Sequence, residues 1–233
     1  MNRECIVLAG GLGTRLRSVV ADKPKCMAPV GDRPFLYYLL QYLHQQGITH
    51  AVLSLGYLAE QVIDWCNNTA LPLRVSFSVE AEPLGTGGGI LHALHTLEGN
   101  DLFIVNGDTY FEVDLPALQQ FHITHQAALS LALKPMKQFD RYGSIQLDAA
   151  QRINAFHEKQ FCGEGLINGG IYFTTANFLR SLALPEIFSF EKAVLEPGVT
   201  TGNFYGFISD TYFIDIGIPE DYTAAQLYLG AKS

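Results

Sequence analysis

The stretch LAGGLGTRLRSVVADKPK, Leu8 to Lys25, follows directly on the apolar run ECIVL and gathers three glycines, two arginines and two lysines behind it. Glycines at such a point let the backbone come close to an anion and aim its N–H groups at the oxygens, while cations neutralise the charge. Ligands of open α/β sheets collect at the carboxyl ends of strands, and GGLGTR stands at the end of the first one. Two phosphate motifs fail here: G-x-x-x-x-G-K-[ST] is absent, and G-x-G-x-x-G breaks at Leu16. What remains is a glycine loop followed by Thr14, Arg15 and Lys25, a fork plus a point charge that suits a triphosphate. On this stretch alone, a plain turn with solvated charges explains the residues equally well.

Outward from that loop, short β-branched runs alternate with helical periodicity, the pattern of an α/β layer fold. ECIVLAG reads as a buried strand and RPFLYYLLQYLHQQG as a helix with Pro34 in its first turn and Gly47 past its end. HAVLSLGY, LRVSFSV and DLFIVNGD are further strands, the last ending in Asp108; LAEQVIDWCNN and GTGGGILHALHTL are helices. After about residue 126 strands follow closely: AALSLALKP, GSIQLDA, RINAFHEK, LINGGIYFTT and GFISDTYFIDIG, with PEDYTAAQLYLG as a closing helix. No internal repeat and no Pro/Gly/Ser-rich linker divides the chain. One domain over residues 1–233 is expected, with two functional lobes, 1–125 and 126–233, that differ in pattern.

Composition narrows the function. With 233 residues and 48% hydrophobic content, the chain can bury a sizeable core. A net charge of −8 argues against nucleic acid as a partner. Yet within residues 1–34 Arg3, Arg15, Arg17, Lys23, Lys25 and Arg33 outnumber Glu4, Asp22 and Asp32, a local +3 that fits a small polyanion. No signal-peptide pattern or membrane-span run is present, so a cytoplasmic protein without a membrane partner is expected. Cys5, Cys26, Cys66 and Cys162 are dispersed and read as reduced thiols. Tyr37, Tyr38 and Tyr42 fit either the core face of one helix or a homodimer contact. His92 and His95, on one helical face, read as packing rather than a ligand pair.

The residues Gly10, Gly11, Gly13, Thr14, Arg15, Leu16, Pro24 and Lys25, followed in order by EPLGTGGGI, VNGD, HEK, INGGIY and FIDIGIPEDY, make nearly the whole chain resemble the sugar-phosphate nucleotidyltransferases. The most similar branch is the short guanylyltransferases that act on D-glycero-D-manno-heptose 1-phosphate. The resemblance implies a single-domain, Rossmann-like three-layer α/β fold with a mixed, mostly parallel central sheet of the GT-A-like kind. It implies attack of a sugar 1-phosphate on the α-phosphorus of a nucleoside triphosphate, with Mg2+ as cofactor and a nucleotide sugar and pyrophosphate as products. A uridylyltransferase acting on an amino-sugar 1-phosphate is the rival within the class, and a non-catalytic nucleotide-sugar sensor the rival outside it.

On that resemblance Arg15 holds the departing pyrophosphate and Lys25 the α-phosphate, while Leu8, Gly10, Gly11, Gly13 and Thr14 belong to the nucleotide loop. Asp108 and Asp215, at two strand ends, supply the oxygen ligands that magnesium prefers. Glu80, Gly85, Thr86 and Gly87 form the base side, with Gly85 to Gly88 leaving room for a flat ring. A carboxylate at Glu80 can accept from guanine N1–H and its exocyclic amine together, whereas uracil presents one N–H between two carbonyls, so GTP is preferred. Glu158, Lys159, Asn168, Gly169 and Gly143 make the sugar-phosphate side. Glu191 and Lys192, in SFEKAVLEP, fit either that side or a solvated helix start. Cys26, next to Lys25, is expected to make activity sensitive to thiol reagents.

Overall fold

The computed structural model describes residues 3–11, 16, 20, 22–157, 159–201 and 203–232. Strand β1 (Glu4–Leu8) lies at the centre of the sheet because its residues are apolar on both faces: Cys5 and Val7 enter one core, Ile6 the other. A 3-10 turn, η1 (Lys25–Met27), and a short ribbon of β2 (Pro29–Val30) and β3 (Arg33–Pro34) lead to α1 (Phe35–Gln45). Then follow β4 (His50–Leu55), α2 (Ala59–Asn67), β5 (Arg74–Val79), α3 (Gly85–Ala93) and β6 (Asp101–Asn106). Strands β6, β1, β4 and β5 pair in parallel in that spatial order. This is the arrangement that opens a crevice at the carboxyl ends of the strands.

The second half adds β7 (Thr109–Phe111), α4 (Leu115–Thr124), β8 (Leu129–Phe139), β9 (Ser144–Leu147), β10 (Ile153–His157) and the long β11 (Cys162–Thr175). After α5 (Ala176–Ser181) come a π-helical turn over Glu191–Leu195, α6 (Glu196–Thr201), β12 (Phe204–Ile208), β13 (Phe213–Asp215) and α7 (Pro219–Gly230). Strand β11 runs antiparallel to β6, β8 and β9, and β12 joins β8 in parallel, completing a nine-stranded mixed sheet. Helices α1, α2, α4 and α7 supply one core cluster, while α3, α5 and the 188–195 segment supply the other, so the sheet is the middle of three layers. Tyr38 and Tyr42 face the first cluster, their hydroxyls donating to the Val30 and Val113 carbonyls at 3.0 and 2.7 Å, which assigns them to the core.

Three local departures from the sequence reading shape the site. GFISDTYFIDIG does not form one strand: it divides into β12, on the main sheet, and β13, which leaves the sheet to pair with β7. The strand DLFIVNGD stops at Asn106, so Asp108 lies in the turn between β6 and β7 rather than on the strand. In β11 the pairing with β8 shifts register between Asn168 and Tyr172, a bulge built on Gly169 and on Gly170 at φ +71°. Helix α4, begun by an Asp114 carboxylate that accepts from the Ala117 N–H at 2.9 Å, has no counterpart in the sequence reading. No helix among the described residues is long and apolar enough to cross a membrane.

Candidate active site

Two cavities open along the carboxyl edge of the parallel strands. The first, about 650 Å3, is lined by Leu8, Gly10, Gly11, Lys25, Glu80, Gly85, Thr86 and Asp108, together with Ser54, Tyr57 and Gly107. The second, about 800 Å3, is lined by Gly143, Lys159, Asn168, Gly169 and Asp215, with Arg141, Tyr142 and His157. Asn106, Glu191 and Gly217 line both, so the cavities meet. Gly13, Thr14, Arg15 and Glu158 lie outside the described residues.

At the junction stands Lys25. Its Nζ donates to Asp108 Oδ2 at 2.5 Å and to Asp215 Oδ1 at 3.3 Å, and its side chain is only 12% exposed. The two acids, distant in sequence, are brought together by the β7–β13 ribbon, in which Asp215 pairs with Thr109, and by an Ile216 N–H donating to the Asp108 carbonyl at 3.0 Å. Asp215 is further fixed by the Gly217 N–H at 2.8 Å. Burial and the neighbouring Asp108 charge raise the Asp215 pKa, against the lowering effect of Lys25. Two converging carboxylates thus call for a cation, and the Lys25 ammonium answers that demand.

The donor set also fits a divalent metal. Asp108 and Asp215 offer hard oxygen ligands, and among the described residues no cluster of three or more His, Cys, Asp or Glu side chains converges. Two carboxylates leave most of an octahedral shell to phosphate oxygens and water, which suits a small, strongly hydrated cation.

On the nucleotide side, Glu80 follows β5 directly. Its Oε2 accepts from the Leu84 N–H at 3.0 Å and its Oε1 from the Ser54 hydroxyl at 3.3 Å, so the carboxylate is oriented while each oxygen keeps a second lone pair. The glycines behind it serve a different purpose from the one expected. A methyl on Gly87 would lie 2.0 Å from the Phe188 ring, and one on Gly88 would lie 2.2 Å from the Glu186 carbonyl. These positions are filled by the protein's own 186–188 segment; Gly85 and Thr86 reach the cavity, whereas Gly87 and Gly88 are buried. Thr86 ties that segment in place, donating to Glu191 Oε2 at 2.8 Å and accepting from the Phe190 N–H at 2.9 Å. Glu191 is therefore a cavity residue at the start of a π-helical turn, not a solvated one.

On the other side, the β11 bulge presents Asn168, whose amide donates to the Tyr172 hydroxyl at 2.8 Å and accepts from the Gly170 N–H at 3.0 Å. Gly143 packs on the backbone of His157, and Lys159 is exposed at the rim. Arg141 joins the wall and pairs with Asp221 at 2.6 Å. Sequence reading passed over Asn106, Ser54, Tyr57, Arg141 and His157; the only signal available for Asn106 was its place in VNGD.

Cys26 overturns the expectation of thiol sensitivity. It is 2% exposed, and burial, with smaller contributions from Cys66 and Asp108, pushes its pKa up to about 12. A thiol so protonated and enclosed is a poor nucleophile. Cys5, Cys66 and Cys162 are likewise free.

Residues 4–232 match the family described as Nucleotidyl transferase. The D-glycero-alpha-D-manno-heptose 1-phosphate guanylyltransferase of Aneurinibacillus thermoaerophilus is 48% identical over 96% of each chain. The protein of the same name from Campylobacter jejuni is 42% identical over 94% of this chain and 96% of its own. Among solved structures, HddC from Yersinia pseudotuberculosis complexed with GMP-PN superimposes with a TM-score of 0.88 at 39% identity, covering 97% of this chain and 99% of that one.

Proposed function

The chain belongs to the nucleotidyl transferase family, and from that membership we propose that it is a guanylyltransferase joining the GMP unit of GTP to D-glycero-α-D-manno-heptose 1-phosphate. The observation that carries the reaction is the meeting of two cavities at a lysine held between two carboxylates. A nucleotide in one and a sugar phosphate in the other would bring their phosphates together there. The substrate choice rests on relatives that cover almost the whole chain and on the oriented Glu80 carboxylate.

In the reaction, a phosphate oxygen of the sugar 1-phosphate forms a bond to the α-phosphorus of GTP. The bond from that phosphorus to the β-phosphate oxygen breaks, and pyrophosphate leaves with the electron pair. Both reactants are anions, so charge neutralisation and in-line alignment dominate catalysis. Lys25 takes the α-phosphate as substrates enter, and Asp108 and Asp215 would hold Mg2+. When bound, the metal neutralises phosphate charge that the two carboxylates cannot. Arg15 receives the pyrophosphate, Gly11 offers its backbone to the phosphates, and Glu80 reads guanine. Lys159 and Glu158 hold the sugar phosphate and a sugar hydroxyl, with Asn168, Gly169 and Gly143 along the ring.

The test is pyrophosphate release with Mg2+ across GTP, UTP, CTP, ATP and dTTP against heptose, mannose, glucose and N-acetylmuramic acid 1-phosphates. Release confined to GTP with the heptose phosphate is the expected result. Release with UTP and an amino-sugar phosphate would overturn the substrate assignment and leave the chemistry intact, and silence throughout would overturn both.

A further inference from the structure

Resting on the sugar 1-phosphate reading above, we propose that His157 determines sugar specificity by hydrogen-bonding a sugar hydroxyl through Nε2. Among the described residues, His157 Nε2 is the one buried side-chain nitrogen or oxygen without a hydrogen-bond partner. An enclosed polar atom of that kind is costly and calls for an explanation. The fold supplies partners for other imidazoles packed inside it. His50 has Glu4 on Nδ1 at 2.6 Å and Ser76 on Nε2 at 2.9 Å, and His122 has Ser130 on Nδ1 at 3.0 Å.

His157 differs from these in its location, the wall of the second cavity. Around it Ile145, Ala155 and Phe156 form an apolar stretch of the same wall, which offers the imidazole no partner and would pack against the C–H face of a sugar. The backbone is fixed while the half-buried ring keeps its side-chain torsions, the motion by which Nε2, enclosed in the free protein, would meet a ligand in the cavity. His157 pairs with Ser144 across β9 and β10, and its carbonyl lies 2.6 Å from where a methyl on Gly143 would stand. A hydroxyl fits either tautomer, since it both donates and accepts, whereas a phosphate only accepts, would fit one tautomer alone, and has Lys159 at the same rim. The ligand group is therefore a sugar hydroxyl, whose partner in the free protein is missing.

The test compares His157→Leu and His157→Gln with the wild type, in the whole chain, by thermal unfolding without substrates and by steady-state kinetics with GTP and heptose 1-phosphate. Replacing an unpaired nitrogen by a group of similar size leaves nothing unsatisfied, so the Leu variant should melt at or above the wild-type temperature. Its KM for the sugar phosphate should rise about tenfold, as expected for one lost hydrogen bond that leaves its partner stranded. Its KM for GTP should not move, and Gln should recover most of the loss. A Leu variant that melts well below wild type would make His157 structural and overturn the proposal, as would an unchanged sugar KM. Failure of the underlying reading is read separately, from wild-type protein that turns over no sugar 1-phosphate.

Discussion

Gly88→Ala sets helix propensity against packing, and the structure says which wins. Gly88 lies within α3, where alanine is favoured over glycine by about 1 kcal/mol. Against this, the new methyl would stand 2.2 Å from the Glu186 carbonyl oxygen and 2.8 Å from Leu84 Cβ. The carbonyl would have to retreat by roughly 1 Å to reach ordinary contact. That carbonyl belongs to a segment bound to α3 by main-chain hydrogen bonds: Phe188 N–H to Leu84 at 3.0 Å, and Gly87 N–H to Phe188 at 3.0 Å. Weakening both costs about 1 kcal/mol each, and overpacking a buried site adds ~1 kcal/mol or more. Net of the helix gain, the variant should lose about 2 kcal/mol, a fall of roughly 4–8 °C in Tm for a chain of this size. Because the same segment carries Glu191 into both cavities, kcat/KM should fall with stability, by about tenfold. Urea denaturation, Tm and pyrophosphate release measure these effects. Gly230→Ala, at the end of α7 where the methyl meets no described atom within 4 Å, is the control and should be neutral or gain up to the alanine increment. A Gly88→Ala protein more stable than wild type, by the alanine increment, would refute the reasoning.

Three further expectations follow from the site and the core. Lys25→Met leaves Asp108 and Asp215 facing each other without their ammonium; turnover should fall at least ~100-fold, and added Mg2+ should raise Tm more than in wild type, both checked by parallel kinetics and melting. Glu80→Gln replaces an acceptor-only pair by one acceptor and one donor, so kcat/KM for GTP should drop on the order of 100-fold and much less for UTP, as a nucleotide competition series would report. Burial holds the His122 pKa down at about 4 against an ordinary 6.5, so the native state stays neutral while the unfolded chain takes up a proton. The stability this confers is complete above pH 6.5 and is lost as pH falls toward 4, on the order of 1–2 kcal/mol between pH 7 and 4.5. His122→Gln, which keeps a group for Ser130 but does not titrate, should flatten that part of the stability–pH curve.

The elements legible in the sequence are those whose cause is local. The short apolar runs of β1, β4 and β6, buried on both faces, and the helices α1 and α7, each begun next to a proline, announce themselves through residue type and spacing. The choice of neighbour is not local. GFISDTYFIDIG looks like one strand because Phe207, Ile208, Tyr212, Phe213, Ile214 and Ile216 are β-formers, yet Ser209 and Asp210 interrupt them and Asp215 reaches Lys25 only because β13 abandons the sheet for β7. Likewise Asp108 and Lys25 could be singled out by residue type, while the fact that one ammonium spans both carboxylates is a product of topology.

Glycine shows most plainly why residue type underdetermines role. Its meaning is set by what occupies the space of the missing side chain, and that occupant comes from elsewhere in the chain. At Gly107 it is the Leu8 carbonyl, 2.8 Å from the absent methyl, so the residue lets the β6–β7 turn close onto β1. At Gly88 it is the Glu186 carbonyl, so a glycine that reads as room for a nucleotide base serves instead to seat a structural strap. At Gly11 no atom of the described residues lies within 4 Å of the absent methyl, and the residue borders the first cavity. The same residue type therefore marks a turn, a packing contact and an open approach to a ligand. Of these three, only Gly11 both borders the first cavity and has no described atom where a side chain would stand, so it is the glycine whose replacement should weaken nucleotide binding most.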